Sequence, residues 1–235
     1  NITQINNKYI IGHNDGTFSY ANGSLSKINN ISGGWNLSKS SINNTYFQST
    51  YSGVIAYDNL SDLSQRKVIK DLSKPIKYVA QNKKNEIWAA DNYRGLYRVV
   101  YDDNFKTKKV ENITQQSKIK NDFGVKIFEF RNEILFLINN SWYTYNSITN
   151  KLEENELFNQ NFKNVSDIIN IDEDHFMVLQ DGILYHIKAT GNKFLWNIIQ
   201  AKYYKGKLIN DNLRIFKHAN HYLLNLDDGF ISLQL

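Results

Sequence analysis

Apolar residues along this chain fall into short runs separated by polar turns, and the runs come in pairs. Glu86-Ile87-Trp88-Ala89-Ala90 is followed by the polar stretch Asp91-Asn92-Tyr93-Arg94, then Gly95 and a second apolar run, Leu96-Tyr97-Arg98-Val99. Runs of this length rich in β-branched and aromatic residues predict strands, and the short glycine-bearing connection predicts a hairpin. The same unit recurs over residues 9–20, 46–57, 134–145, 175–186 and 222–233. In the fourth of the six units Asn140 stands where the others carry glycine. Asparagine is the next residue most tolerant of a left-handed turn, so the unit survives that change.

The turn positions 16, 53, 95, 140, 182 and 229 lie 37, 42, 45, 42 and 47 residues apart. A strand-only repeat of roughly 40 to 50 residues is the signature of propeller blades. Segments 74–80, 121–130, 164–170 and 213–218 supply an extra strand before the third to sixth hairpins, predicted as the innermost strand of each blade. An outer strand is expected at 194–199, and the polar stretch from Lys106 to Lys120 reads as loop or solvated outer strand. The expected fold is therefore all-β, a propeller of four-stranded antiparallel blades, five to six of them in one domain spanning 1–235. The first blade shows no clear innermost strand, which favours the later blades of a larger propeller over a ring closed by strand sharing.

Composition narrows the chemistry. The 235 residues include no cysteine, which removes disulfides, thiol nucleophiles and thiolate metal sites. Aromatic residues at 14% exclude disorder as the main state. No apolar run approaches the roughly 20 residues of a membrane-spanning helix. A net charge of +5 is too weak for a nucleic-acid stripe and favours acidic partners only mildly. The opening Asn1-Ile2-Thr3 carries neither an initiator Met nor a signal sequence and reads as part of something longer.

The unit from Glu86 to Val99 resembles the repeat of the two-component regulator propellers: a strand ending in Trp, a short turn, Gly-Leu and an aromatic-rich strand. Residues 222–230 are similar to the last repeat that, in such proteins, leads into a triple-tyrosine module. The resemblance implies a bacterial sensor in which the propeller lies outside the cytoplasm, ahead of that module, a membrane segment and a histidine kinase or helix-turn-helix output. It also implies an extracytoplasmic signal such as a glycan, read without catalysis through propeller packing or homodimer geometry.

The residues themselves offer few alternatives. Asp172-Glu173-Asp174 and Asp227-Asp228-Gly229 are read as turns, since Asp side chains cap their own backbone there. The five histidines lack zinc-protease spacing, so no metal or cofactor is expected. An enzyme would be a polysaccharide hydrolase or lyase using turn carboxylates such as Asp91, Asp181 and Asp228. Exposed aromatic and basic residues on loops are the stronger signal. They occur as Tyr93-Arg94 in the third hairpin turn, as Trp35 beside Gly34, and in Lys202-Tyr203-Tyr204-Lys205. Tyr93, Arg94 and Trp35 are the predicted ligand-binding residues, for a small molecule or glycan. Trp88, Trp142 and Trp196, in strands, are expected to pack between blades. A scaffold that binds a protein partner through one face is the remaining reading.

Overall fold

The computed structural model describes residues 2–5, 7–58, 65–207, 213–218 and 221–234. All six predicted hairpins are present, and in the first five sheets the hairpin forms the two central strands. The first sheet runs β1 (Ile2–Ile5), β2 (Lys8–His13), β3 (Gly16–Ala21) and β4 (Ser24–Asn29) in sequence order. The second has β5 (Asn36–Lys39), β6 (Tyr46–Thr50), β7 (Gly53–Tyr57) and β8 (Arg66–Ile69). The third has β9 (Ile76–Lys83), β10 (Glu86–Asp91), β11 (Leu96–Tyr101) and β12 (Thr107–Asn112), followed by the short helix α1 (Ile113–Gln116).

The fourth sheet is β13 (Lys126–Phe130), β14 (Glu133–Ile138), β15 (Ser141–Asn146) and β16 (Lys151–Glu154), and α2 (Glu156–Asn161) comes after it. The fifth is β17 (Val165–Asn170), β18 (His175–Gln180), β19 (Ile183–Thr190) and β20 (Lys193–Ile198). Among the described residues the sixth has three strands, β21 (Ile215–His218), β22 (His221–Leu226) and β23 (Gly229–Leu233). This up-and-down order is that of propeller blades.

One expectation changes. The first unit does have a strand ahead of its hairpin: β1 pairs with β2 from Ile2 opposite Ile11 to Ile5 opposite Lys8. Four residues reading Ile-Thr-Gln-Ile are too short for periodicity alone to mark, and the pairing with β2 is what makes them a strand. The stretch 106–120 resolves into β12 and α1, whose first turn is capped by Asn112 accepting from the Gln115 amide.

Asn140 fulfils its predicted role. Asn139 and Asn140 have φ of 48° and 65°, as do Asp181 and Gly182 at 50° and 74°, so both hairpins turn through two left-handed residues. That geometry matches the right-handed twist of the flanking strands.

The chain divides into two compact units. The first comprises residues 1–127, 136–139 and 143–153; the second comprises 128–135, 140–142 and 154–235. In the first, Phe47, Ile69, Ile76, Ile87 and Val99 form a core shared by the second and third sheets. In the second, Met177, Leu179 and Leu184 of the fifth sheet pack with Leu224 and Leu233 of the sixth. Trp88 and Trp142 are buried as expected, while Trp196 is half-buried against Phe162 and Tyr185.

Candidate functional site

The Tyr93-Arg94 turn connects β10 to β11, and its shape follows from two residues. Asp91 turns its carboxylate back on the chain, where Oδ1 accepts from the Tyr93 amide at 2.8 Å and the Arg94 amide at 3.4 Å. Aspartate forms such local turns readily because its side chain mimics a backbone acceptor. Gly95 follows at φ 100°, a conformation that side chains with a Cβ rarely adopt. Its amide donates to the Asp122 carbonyl at 2.9 Å, and the Asn92 amide donates to the Pro75 carbonyl at 2.7 Å. The turn is thus stitched to the chain on both flanks.

Asp122 supplies the electrostatics. It is only 6% exposed, and Arg94 Nε and Nη2 reach its Oδ1 at 3.0 and 2.9 Å, while Thr114 Oγ1 lies 2.8 Å from its Oδ2. The guanidinium sits 5.0 Å from the centre of the exposed Phe123 ring. Charge-assisted bonds to a buried carboxylate fix the Arg94 head, although the side chain as a whole is 59% exposed.

Around this turn lies an open groove of about 660 Å³. Tyr93, 67% exposed, stands on it with Arg94, Lys74 and Lys120, and Tyr97 and Ile119 give it apolar floor. Lys74 Nζ lies 5.4 Å from the centre of the Tyr97 ring, whose hydroxyl accepts from Asn112 Nδ2 at 3.3 Å. The volume is in the range of small-molecule sites. The arrangement offers a flat aromatic face, fixed cations and hydrogen-bond donors, which suits binding by stacking and charge.

The other candidates lie elsewhere. Trp35 is half-buried at the start of the second sheet, its ring edge-on to Tyr51 at 4.4 Å, and it does not line the groove. Of the loop aromatics at 203 and 204, Tyr203 is exposed beneath Lys202, but Tyr204 is buried. Its hydroxyl accepts from the Leu184 amide, an internal bond that the polar surroundings of the loop did not foretell. Asp91 is spent on its turn, Asp181 occupies the left-handed corner between β18 and β19, and Asp228 pairs with Lys207 at 2.9 Å. Among the described residues no three histidines, aspartates or glutamates converge as metal ligands would. Asp172 acts within its turn, holding His175 Nδ1 at 2.9 Å, whereas Asp174 reaches out of it to pair with Arg131 at 2.6 Å.

Sequence reasoning missed Asp122, Lys120 and Lys74. Asp122 lies 28 residues beyond Arg94 in the chain, and only the fold brings them together.

No family model matches the chain, and no curated protein is similar to it in sequence. Solved structures are similar in fold. The extracellular domain of BT4673 from B. thetaiotaomicron, assigned to the one component systems, is 11% identical with a TM-score of 0.67 over 99% of this chain and 34% of that one. The extracellular domain of BT3049 from the same organism, assigned to the hybrid two component systems, is 16% identical with a TM-score of 0.63 over 95% of this chain and 31% of that one. YCF48 from Cyanidioschyzon merolae is 13% identical with a TM-score of 0.59, over 100% and 81%. The chain spans about a third of the length of the two B. thetaiotaomicron domains. The fold is that of a β-propeller, and the sensor proteins whose repeat the sequence resembles share it.

Proposed function

We propose that the chain is a non-catalytic, ligand-sensing propeller of a bacterial signal-transduction protein, working outside the cytoplasm and responding to a glycan. The observation that carries the reading is the groove beside the third hairpin turn, where an exposed tyrosine and a braced arginine stand on a rigid sheet. Aromatic faces stack on sugar rings, and loops on rigid scaffolds are where recognition concentrates. The fold shared with extracellular domains of one- and two-component systems supports the sensor part. Tyr93 and Arg94 contact the ligand directly, and Trp35 belongs to a separate surface. Binding would be signalled by a shift between packing or homodimer arrangements that the ligand favours unequally.

A thermal-shift screen against oligosaccharides tests this. A glycan that raises the melting temperature with concentration, is recovered unchanged, and loses its effect in Tyr93→Ala and Arg94→Ala supports the reading. Release of a shortened product would instead point to a hydrolase or lyase.

A protein-binding scaffold is the second reading, favoured by one face of the first sheet. Tyr9, Tyr20 and Leu25 lie opposite one another across β2, β3 and β4, Tyr9 facing Tyr20 at 6.4 Å, and all three are exposed together with Ile2. Self-association in sedimentation that Tyr20→Asp abolishes would favour it.

A further inference from the structure

The groove holds five charged side chains, and their hydrogen bonding divides them by sign. Both carboxylates point into the protein. Asp91 accepts from two backbone amides, and Asp122 is engaged by Arg94 on one oxygen and by Thr114 on the other. Among the described residues two of the three cations remain unpaired, and the third, Arg94, keeps donors to spare. Lys74 and Lys120 are exposed, and among the described residues neither has a carboxylate within ion-pair distance. Arg94 meets Asp122 through Nε and Nη2, which leaves the Nη1–Nη2 end of the guanidinium off that carboxylate, on a side chain that is 59% exposed. That end presents two parallel N–H donors, the fork that grips a carboxylate in bidentate fashion.

We propose that the groove recognises acidic sugars, with a ring carboxylate of a uronic acid on the free end of Arg94, flanked by Lys74 and Lys120, and the ring face laid on Tyr93. The proposal rests on the glycan reading above and sharpens it to a substrate class. A neutral sugar would cover Lys74 and Lys120 without compensating them, at a desolvation cost that an anionic sugar repays. The net charge of +5 acts in the same direction at long range by raising the encounter rate with polyanions. The exposed Tyr93 ring on the groove favours the broad face of a pyranose over an acidic peptide, whose carboxylates sit on flexible stems.

The test is titration calorimetry of the chain with a panel of uronate oligosaccharides, their methyl esters and an oligoglutamate peptide. The esters keep the sugar and remove its charge. Binding of a uronate at least tenfold tighter than its ester, weakened about tenfold by Lys74→Gln with Lys120→Gln and weakened by added salt, is the expected result. Both lysines are exposed, so an unchanged melting curve of the double variant shows that it folds. Equal binding of ester and acid overturns the acidic preference and leaves the glycan reading standing. Oligoglutamate binding as tightly as the best uronate overturns it in favour of a peptide. Failure of acid and ester alike removes this proposal, and the glycan reading falls with it only when the oligosaccharide thermal-shift screen also gives no stabilisation.

Discussion

The two units hold their sheets together by different means. In the first, polar and directional contacts are added to the apolar core that the second and third sheets share. Gln48 Oε1 accepts from Thr17 of the first sheet at 3.1 Å and from Tyr57 OH at 2.9 Å, and Asn29 Nδ2 donates to the Tyr57 oxygen at 3.0 Å. Toward the third sheet, Ser38 and Ser49 donate to the carbonyls of Val79 and Lys77 at 2.9 and 3.1 Å, and Gln81 links Ser40 to Tyr101. Thr17, Gln48, Ser49 and Gln81 are all buried. In the second unit the corresponding space is filled by rings. Phe128, Phe130, Trp142, Phe158, Phe162, Phe176 and Phe194 contact one another with centroids 4.7 to 6.3 Å apart. Ring packing gains stability from area and tolerates small slips, whereas a satisfied buried hydrogen bond accepts one geometry. The groove lies in the first unit, where directional joints fix the third sheet that carries it.

This contrast predicts unequal responses to substitution. Phe158 lies within 6.2 Å of Phe128, Phe130, Trp142, Phe162 and Phe194, and Phe158→Ala should cost about 3–5 kcal/mol in urea unfolding. A loss below 1 kcal/mol would mean that the ring cluster contributes little. Gln48→Ala should cost about 2–3 kcal/mol, mostly by orphaning Thr17 and Tyr57 rather than by lost area. The triple change Thr17→Val, Gln48→Leu, Tyr57→Phe removes both of those orphans but takes the acceptor from buried Asn29 Nδ2, so it should recover only part of that loss. If it is worse than Gln48→Ala alone, volume and not hydrogen bonding governs the joint.

The same contrast explains what could be read from the chain. The six hairpins were legible because paired apolar runs flank a turn residue, and in the second and third sheets those runs lie buried, as in the wholly buried β7 and β10. Edge strands that keep apolar residues were legible as well, namely β9, β13, β17, β20 and β21, but others were not, because solvent on one side lets polar residues fill them: β4 reads Ser-Leu-Ser-Lys-Ile-Asn and is exposed over its first four residues, and β16 reads Lys-Leu-Glu-Glu. The ring cluster draws on aromatics scattered from Phe128 to Phe194, and no local pattern marks them as partners. At the site, Tyr93 and Arg94 stood out through the glycine that closes their turn. Asp122 and the lysines did not, since their role exists only once α1 and the chain after it fold back over β11.

Titration sharpens the comparison at its two ends. Burial pushes the Tyr57 hydroxyl from 10.0 up to about 12, and Tyr101 is raised by burial as well. Between these values the unfolded chain has released a proton that the folded chain still holds, so stability falls as pH rises from 10 toward 12. The loss attributable to Tyr57 is on the order of 2 kcal/mol. Tyr57→Phe should flatten that alkaline limb in pH-resolved denaturation, and an unchanged limb would place the weakness elsewhere.

The second unit should show the opposite and smaller sensitivity. His186 stacks on His175 at 5.4 Å, and among the described residues its Nε2 has no hydrogen-bond partner. Burial, then the charge of His175, holds its pKa below 6.5, with Asp172 acting against both and Lys188 adding to them. As pH falls below 6.5 the unfolded chain takes up a proton that the folded chain refuses, so stability declines toward acid. His186→Phe, of similar shape and uncharged, should remove that decline while leaving the alkaline limb of the first unit untouched. A decline of the same size in the variant would show that the acid response comes from other groups, and the two units would then differ in packing but not in how protons act on them.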